Sequence, residues 1–195
     1  PAPPERLNPQ STRPMSRFCI LMYHMVADPR SAEEHRFAIP PRRFASHMRS
    51  LRESGYTPIS LDRIQAHLAE GRELPEQPVA VTFDDGFGDN YTDAFPILRR
   101  YRIPATIFLA HDTIGGDNRW MHASGYPRRR MLDWGQILEM QSAGIGFGSH
   151  TLTHPRLSTL DRDAAQAEIC GAKQALEARL GRRVDYFAYP YGDWS

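Results

Sequence analysis

The stretch PVAVTFDDG, residues 78–86, joins a largely apolar run to two aspartates and a glycine. A short apolar run bounded by turn-forming residues is typical of a strand that is buried on both faces of a parallel sheet. The run Pro78–Phe83 therefore predicts such a strand, and it places Asp84 and Asp85 at the carboxyl end of that strand. In open α/β sheets and in (β/α) barrels, ligands bind and chemistry takes place at this end of the strands.

Strands and helices alternate on both sides of this stretch. Short apolar runs predict further strands at residues 18–23, 56–60, 105–109, 145–148 and 185–189. Apolar residues at helical spacing predict helices at residues 41–54, 61–68, 91–100, 134–143 and 161–180. About six strands in series with helices between them predict an α/β domain with a parallel sheet, built as an open doubly wound sheet or as a (β/α) barrel.

The composition is that of one globular domain preceded by a short leader. Apolar residues make up 41% and charged residues 24% of the 195 residues. The 24 basic and 23 acidic residues leave a net charge of +1, so bulk charge does not support binding to nucleic acid or to a membrane surface. No apolar run approaches the roughly 18–20 residues that cross a bilayer. Residues 1–17 are predicted to be a disordered or loosely attached leader, and residues 18–195 to be the domain.

Asp84 and Asp85 place two carboxylates side by side. The repulsion between them is unfavourable unless the site has a function that requires both. Like charges so close raise the pKa of one group unless a cation offsets the repulsion. A bound metal ion would supply that cation. The alternative is a capping turn, because Asp and Gly also favour tight turns.

Two histidines, His150 and His154, follow the strand predicted at residues 145–148. Pro155 disfavours helical backbone at His154, so the pair is expected in an irregular loop. This loop and the aspartate pair would share one rim of the parallel sheet. Two histidines and one carboxylate form the ligand set of a hydrolytic metal site, in which coordination positions stay open for water and substrate. The second carboxylate is then free to act as a base. The alternative is two ordinary surface histidines.

A third cluster, FAYPYG at residues 187–192, ends the last predicted strand on the same rim. It is either a strand followed by a Pro/Gly turn or a rigid corner that presents a backbone N–H and aromatic walls to a ligand. TFDDG (82–86), SHTLTHP (149–155) and FAYPYG resemble, in order and spacing, the first three motifs of the polysaccharide deacetylases, which are carbohydrate esterase family 4 enzymes with the NodB-homology domain. ILMYH (20–24) and PATIFL (104–109) resemble the branch that includes poly-N-acetylglucosamine deacetylases.

The resemblance, which covers about residues 18–195, implies a distorted (β/α) barrel that binds one divalent metal ion. Zinc is expected, with cobalt or nickel as alternatives, and the activity implied is removal of N-acetyl groups from an acetylated amino-sugar polymer or oligomer. Asp84 matches the general base of the family. Asp85, His150 and His154 match its metal ligands. The N–H of Tyr191 matches its backbone contribution to the oxyanion hole.

Further residues are expected at the substrate site. Pro190, Tyr191 and Trp194 belong to the third motif or follow it directly, and they are predicted to line the substrate groove. His24 follows the first predicted strand and so lies on the same rim. It is predicted to contact substrate or to stand in as proton donor, and a structural, hydrogen-bonded histidine is the alternative.

The chain departs from the family pattern at two places. Ala188 stands where the family often has an arginine that orients the base. The sequence stops at Ser195, before the later motif in which the family carries its histidine general acid. We therefore expect a piece of a longer polypeptide whose barrel is incomplete at the carboxyl end.

The leading hypothesis is a metal-dependent polysaccharide deacetylase. One alternative is a catalytically incomplete, carbohydrate-binding relic of this family. Another is a different metal-dependent hydrolase that cleaves an amide or an O-acetyl ester, because fold alone does not decide the reaction. The expected location is the cell envelope or the exterior if a signal peptide has been removed, and the cytoplasm otherwise.

Overall fold

The computed structural model describes residues 17–193, which form a parallel β-sheet covered by helices. The five strands are β1 (Cys19–Tyr23), β2 (Thr57–Pro58), β3 (Pro78–Phe83), β4 (Ala105–Leu109) and β5 (Gly146–Ser149). The five α-helices are α1 (Pro41–Glu53), α2 (Leu61–Glu70), α3 (Phe95–Tyr101), α4 (Trp134–Ser142) and α5 (Arg162–Leu180). The predicted leader, apart from Arg17, and Trp194 lie outside the described residues.

The sheet has the parallel topology that the alternating pattern predicts. Its strand order is β1-β3-β4-β5, and β2 pairs with the start of β3. Every residue of β3 is buried, as expected for a strand covered on both faces. The register aligns Tyr23 with Phe83 and Phe83 with Ile107, so the carboxyl ends of these strands share one rim.

The two faces of the sheet bury different side chains. Phe83, Ile107 and Leu109 point into the main core, where they join residues of helices α1, α3, α4 and α5. Ala80 and Phe108 point the opposite way and belong to a smaller cluster that includes Tyr186 and Ala188 at its edge.

The prediction of a regular strand at residues 185–189 is wrong. Only Phe187 forms a bridge, parallel to Ser149, through hydrogen bonds from Ser149 N–H to Tyr186 O and from Ala188 N–H to Ser149 O. Pro190 has no N–H to donate, and the chain turns at Pro190–Gly192, where Tyr191 is left-handed. Within residues 17–193 the sheet is therefore an open parallel sheet that does not close into a barrel.

The helix at residues 91–100 is also more complex than the sequence predicts. Asn90–Ala94 forms a π-helical turn, and α3 begins only at Phe95, with Pro96 in its first turn. Helix α2 is capped by the Ser60 side chain as predicted, although Leu68 is exposed and does not face the core. No helix in the described part of the chain combines the length and the apolar character that crossing a membrane requires.

Candidate metal centre and cleft

The aspartate pair is placed by the end of strand β3. The Asp84 N–H donates to Tyr23 O over 2.9 Å, which extends the ladder with β1 by one residue beyond the strand. Asp85 and Gly86 then take the left-handed conformation, with φ of 72° and 79°. A Cβ at Gly86 would lie 2.6 Å from a side-chain carbon of Leu109, so only glycine fits there. The turn buries both carboxylates at the rim of the sheet.

The histidine pair is placed by the end of strand β5. The His150 N–H donates to Leu109 O over 2.9 Å, and the loop then contains two left-handed residues, Thr151 and His154. The Nδ1 atom of His150 lies 2.8 Å from Ala188 O. Because a carbonyl only accepts, Nδ1 carries a proton and donates it to Ala188 O, and Nε2 is the ring nitrogen left to face a ligand.

Asp85, His150 and His154 converge on one point. Oδ1 of Asp85 lies 3.3 Å from His150 Nε2 and 3.1 Å from His154 Nε2. Ligand atoms of all three residues lie within 4.8 Å of one another. Oδ1 is buried and has no hydrogen bond of good geometry to any residue in the range 17–193. A buried carboxylate oxygen left unpaired between two imidazole nitrogens fits a metal ion that accepts all three lone pairs.

Burial and neighbouring charges together shift the pKa values of the ionisable groups in this site. Burial opposes ionisation of Asp85, but the two imidazoles beside it outweigh burial and hold the pKa of Asp85 well below its usual range. Burial raises the pKa of Asp84, and His150 and His24 offset part of that rise. Burial lowers the pKa of His150, but the adjacent Asp85 more than compensates and leaves this pKa raised. Asp85 is therefore the permanent anion, and Asp84 holds a proton more readily than an ordinary aspartate.

These groups lie at the floor of a cleft of about 830 Å³. Five aromatic residues line the cleft besides Tyr191, with Phe37 beside Tyr126 and Phe187 beside Tyr189: Phe37, Trp120, Tyr126, Phe187 and Tyr189. The Trp120 ring stacks on the His154 imidazole, with centroids 4.7 Å apart. The sequence did not predict Trp120 or Tyr126 for the site, because both lie between a predicted strand and a predicted helix in a segment without a regular apolar pattern. The one feature of the sequence that could have indicated them is that two aromatic residues occur in a polar segment that follows a strand on this rim.

Tyr191 contributes both its backbone and its ring. It is a left-handed residue, with φ of 60°, and its N–H donates to no other residue of the described chain. Its ring meets the His154 imidazole edge to face at 4.8 Å, and the Arg156 guanidinium lies 4.3 Å from the ring centroid. A backbone N–H without a partner among the described residues is the kind of donor from which oxyanion holes are built.

The cleft brings together nearly all of the site residues that the sequence predicts. Asp84, Asp85, His24, His150, His154 and Tyr191 all line it. Pro190 is buried next to Tyr191, and His24 is partly exposed, with the centroids of its ring and the Phe37 ring 5.2 Å apart. Trp194 lies beyond the described residues, so its predicted place in the groove stays a prediction.

The comparisons with known proteins agree with this geometry. The family model described as polysaccharide deacetylase matches residues 71–195, and the chain belongs to that family. The solved structure of IcaB from Ammonifex degensii superposes with a TM-score of 0.78 at 31% identity, covering 91% of this chain and 76% of that one.

Two curated relatives are longer than this chain. The YxkH protein of Bacillus subtilis is 29% identical over 184 residues, which is 94% of this chain and 60% of YxkH. The poly-β-1,6-N-acetyl-D-glucosamine N-deacetylase of Escherichia coli is 34% identical over 101 residues, which is 52% of this chain and 15% of that protein. The chain thus spans less than two thirds of the length of each.

Proposed function

We propose that this protein is a metal-dependent hydrolase that removes N-acetyl groups from a polysaccharide containing N-acetylglucosamine. The observation that carries the proposal is the unpaired Oδ1 of Asp85 between the Nε2 atoms of His150 and His154, with Asp84 adjacent. The substrate is supported by the name of the Escherichia coli relative, a poly-β-1,6-N-acetyl-D-glucosamine N-deacetylase.

Asp85, His150 and His154 would hold one divalent ion. Two imidazole nitrogens and one carboxylate oxygen suit zinc, and cobalt and nickel also accept such ligands. When bound, the ion supplies a Lewis acid for the acetyl carbonyl and for water.

Asp84 is the general base in this proposal. Its carboxylate lies at the floor of the cleft, next to the metal ligands, and it takes a proton from the water that attacks the acetyl carbon. The raised pKa of Asp84 brings its basicity closer to neutral pH, which makes the transfer more favourable. The Tyr191 N–H stabilises the oxyanion that forms, and one such donor contributes about 3 kcal/mol in other enzymes.

The remaining cleft residues bind the sugar. The aromatic residues of the cleft offer apolar faces of the kind that suit pyranose rings, and the turn at Pro190 and Tyr191 holds the backbone donor at the same cleft. His24 lines the cleft, and in this proposal it contacts the substrate. It is also the cleft histidine outside the proposed ligand set, so it is our candidate to protonate the departing amine.

The test is acetate release from a defined N-acetylated oligomer of β-1,6-linked glucosamine by the zinc-loaded protein. The Asp84→Asn variant keeps the shape of the side chain and serves as the control. We expect acetate from the wild-type protein and a loss of at least about a hundredfold in the variant, since a positioned base contributes roughly 10²–10⁴-fold. Oligomer binding without acetate release would favour the binding relic. Release from O-acetylated sugars alone would favour the ester hydrolase.

A further inference from the structure

We propose that Glu168, on helix α5, is a positioning residue that clamps the loop carrying both histidine ligands. The inference rests on the proposed function, because it gives Glu168 a role in metal binding. Glu168 does not line the cleft and touches neither histidine ring. It acts through the backbone of the segment Ser149–Pro155.

The histidine loop is strained. Thr151 and His154 have φ of 70° and 66°, a conformation that side chains with a Cβ rarely adopt. For Thr151 the conformation is especially unfavourable because its Cβ is branched. Strained residues of this kind persist only where the surroundings determine the backbone strongly. The loop therefore requires attachments that hold it in the shape that aims His150 and His154 at Asp85.

Glu168 provides three such attachments from outside the loop. Its Oε2 accepts the N–H of Leu152 over 2.8 Å and the N–H of Thr153 over 2.9 Å. Its Oε1 accepts the hydroxyl of Thr153 over 2.6 Å. Hydrogen bonds to a charged acceptor are stronger than neutral ones. One carboxylate thus fixes the two residues that lie midway between the histidine ligands.

A glycine on helix α5 allows the helix to pack closely against the loop and so brings Glu168 within reach of it. Gly171 lies three residues further on, on the same side of the helix. A Cβ at Gly171 would lie 3.0 Å from the side chain of Leu152, so the glycine allows the helix to approach the loop closely. Backbone hydrogen bonds also attach the middle of the loop, from His111 N–H to Thr151 O and from Asp112 N–H to Leu152 O.

Loss of the Glu168 carboxylate should weaken metal binding without unfolding the domain. The freed N–H groups of Leu152 and Thr153 can bind water, because Thr153 is exposed. The loop can then relax from its strained shape, and the two imidazoles no longer converge on Asp85. Outer partners of metal ligands typically change metal affinity by about 10–100-fold, and we expect a Glu168→Ala change in this range.

The test measures the zinc dissociation constant by competition with a chromophoric chelator, with urea unfolding of the metal-free protein in parallel. Glu168→Ala should bind zinc about 10–100-fold more weakly while its unfolding midpoint stays near that of the exposed control on the same helix, Gln166→Ala. Glu168→Gln keeps an oxygen that accepts both N–H groups and an amide that donates to the Thr153 hydroxyl. It should recover most of the affinity.

Equal zinc affinity in Glu168→Ala and wild type would overturn the inference. So would a Gln variant as weak as the Ala variant, because then hydrogen bonding is not what Glu168 supplies. A wild-type protein that binds no zinc would overturn both this inference and the proposed function. Zinc binding that depends on Glu168, without acetate release, would support the clamp and contradict the proposed reaction.

Discussion

Replacing Asp89 with asparagine should stabilise the protein at neutral pH and leave it unchanged in acid. Asp89 follows the aspartate turn, and its Oδ1 accepts the N–H of Val26 over 2.7 Å and the side-chain N–H of Asn90 over 3.2 Å. Burial raises the pKa of Asp89 from 3.8 to about 6, despite the Val26 hydrogen bond and the nearby Arg129, and Asp93 adds to the rise. An asparagine oxygen can accept the same two hydrogen bonds without the buried charge.

The size and sign of the effect follow from this shift. The folded state binds the Asp89 proton more tightly than the unfolded state, so folding is favoured most below the unfolded pKa. That contribution is lost as the pH rises through the folded pKa of about 6. A shift of about two units corresponds to roughly 3 kcal/mol at full ionisation. Since asparagine does not titrate, Asp89→Asn should be more stable than wild type by up to about 3 kcal/mol at pH 8.

Urea unfolding of both proteins at closely spaced pH values from 4 to 8 measures the difference between their free energies of unfolding. This difference isolates the contribution of Asp89 to stability, because all the other carboxylates titrate in both proteins. The difference should be near zero at pH 4 and should grow through pH 6. A difference that does not change with pH, or one that favours the wild type at pH 8, would refute the reasoning.

Four further predictions concern the cleft and the sheet. Asp84→Asn should bind zinc within about threefold of wild type, measured by chelator competition, because Asp84 is not among the proposed ligands. Dialysis against a strong chelator should abolish acetate release, and added zinc should restore it. Gly148→Ala places a Cβ 2.5 Å from the Phe108 ring, and urea unfolding should show a loss of about 1–3 kcal/mol. Trp120→Ala removes the ring stacked on His154, so the KM for an acetylated oligomer should rise, as initial rates of acetate release will show.

The elements that a local pattern determines were predictable from the sequence. Strands β3 and β4 have the predicted limits because each is a short apolar run covered on both faces. Helix α5 begins after its Asp161 cap and ends before Gly181, as its sequence indicates. The convergence of Asp85, His150 and His154 was predictable for the same reason, since the aspartates and the histidines directly follow buried strands on one rim.

The features that depend on distant contacts were not predictable in this way. The apolar run at residues 185–189 looks like a strand, but only Phe187 finds a partner along the edge of β5. Glu168 occupies an ordinary helical position, and nothing local shows that its carboxylate reaches the loop near Thr153. Trp120 is brought to His154 by the path of a long segment that has no regular pattern of its own.

The metal content of the purified protein tests the central claim most directly. Elemental analysis after zinc loading and dialysis should give about one zinc per chain, and Asp85→Ala should lose it. Asp112→Ala, which removes an exposed aspartate paired with His111, is the matched control and should keep its zinc. No retained zinc in the wild-type protein, or equal retention in Asp85→Ala, would contradict the claim that Asp85, His150 and His154 form the metal centre.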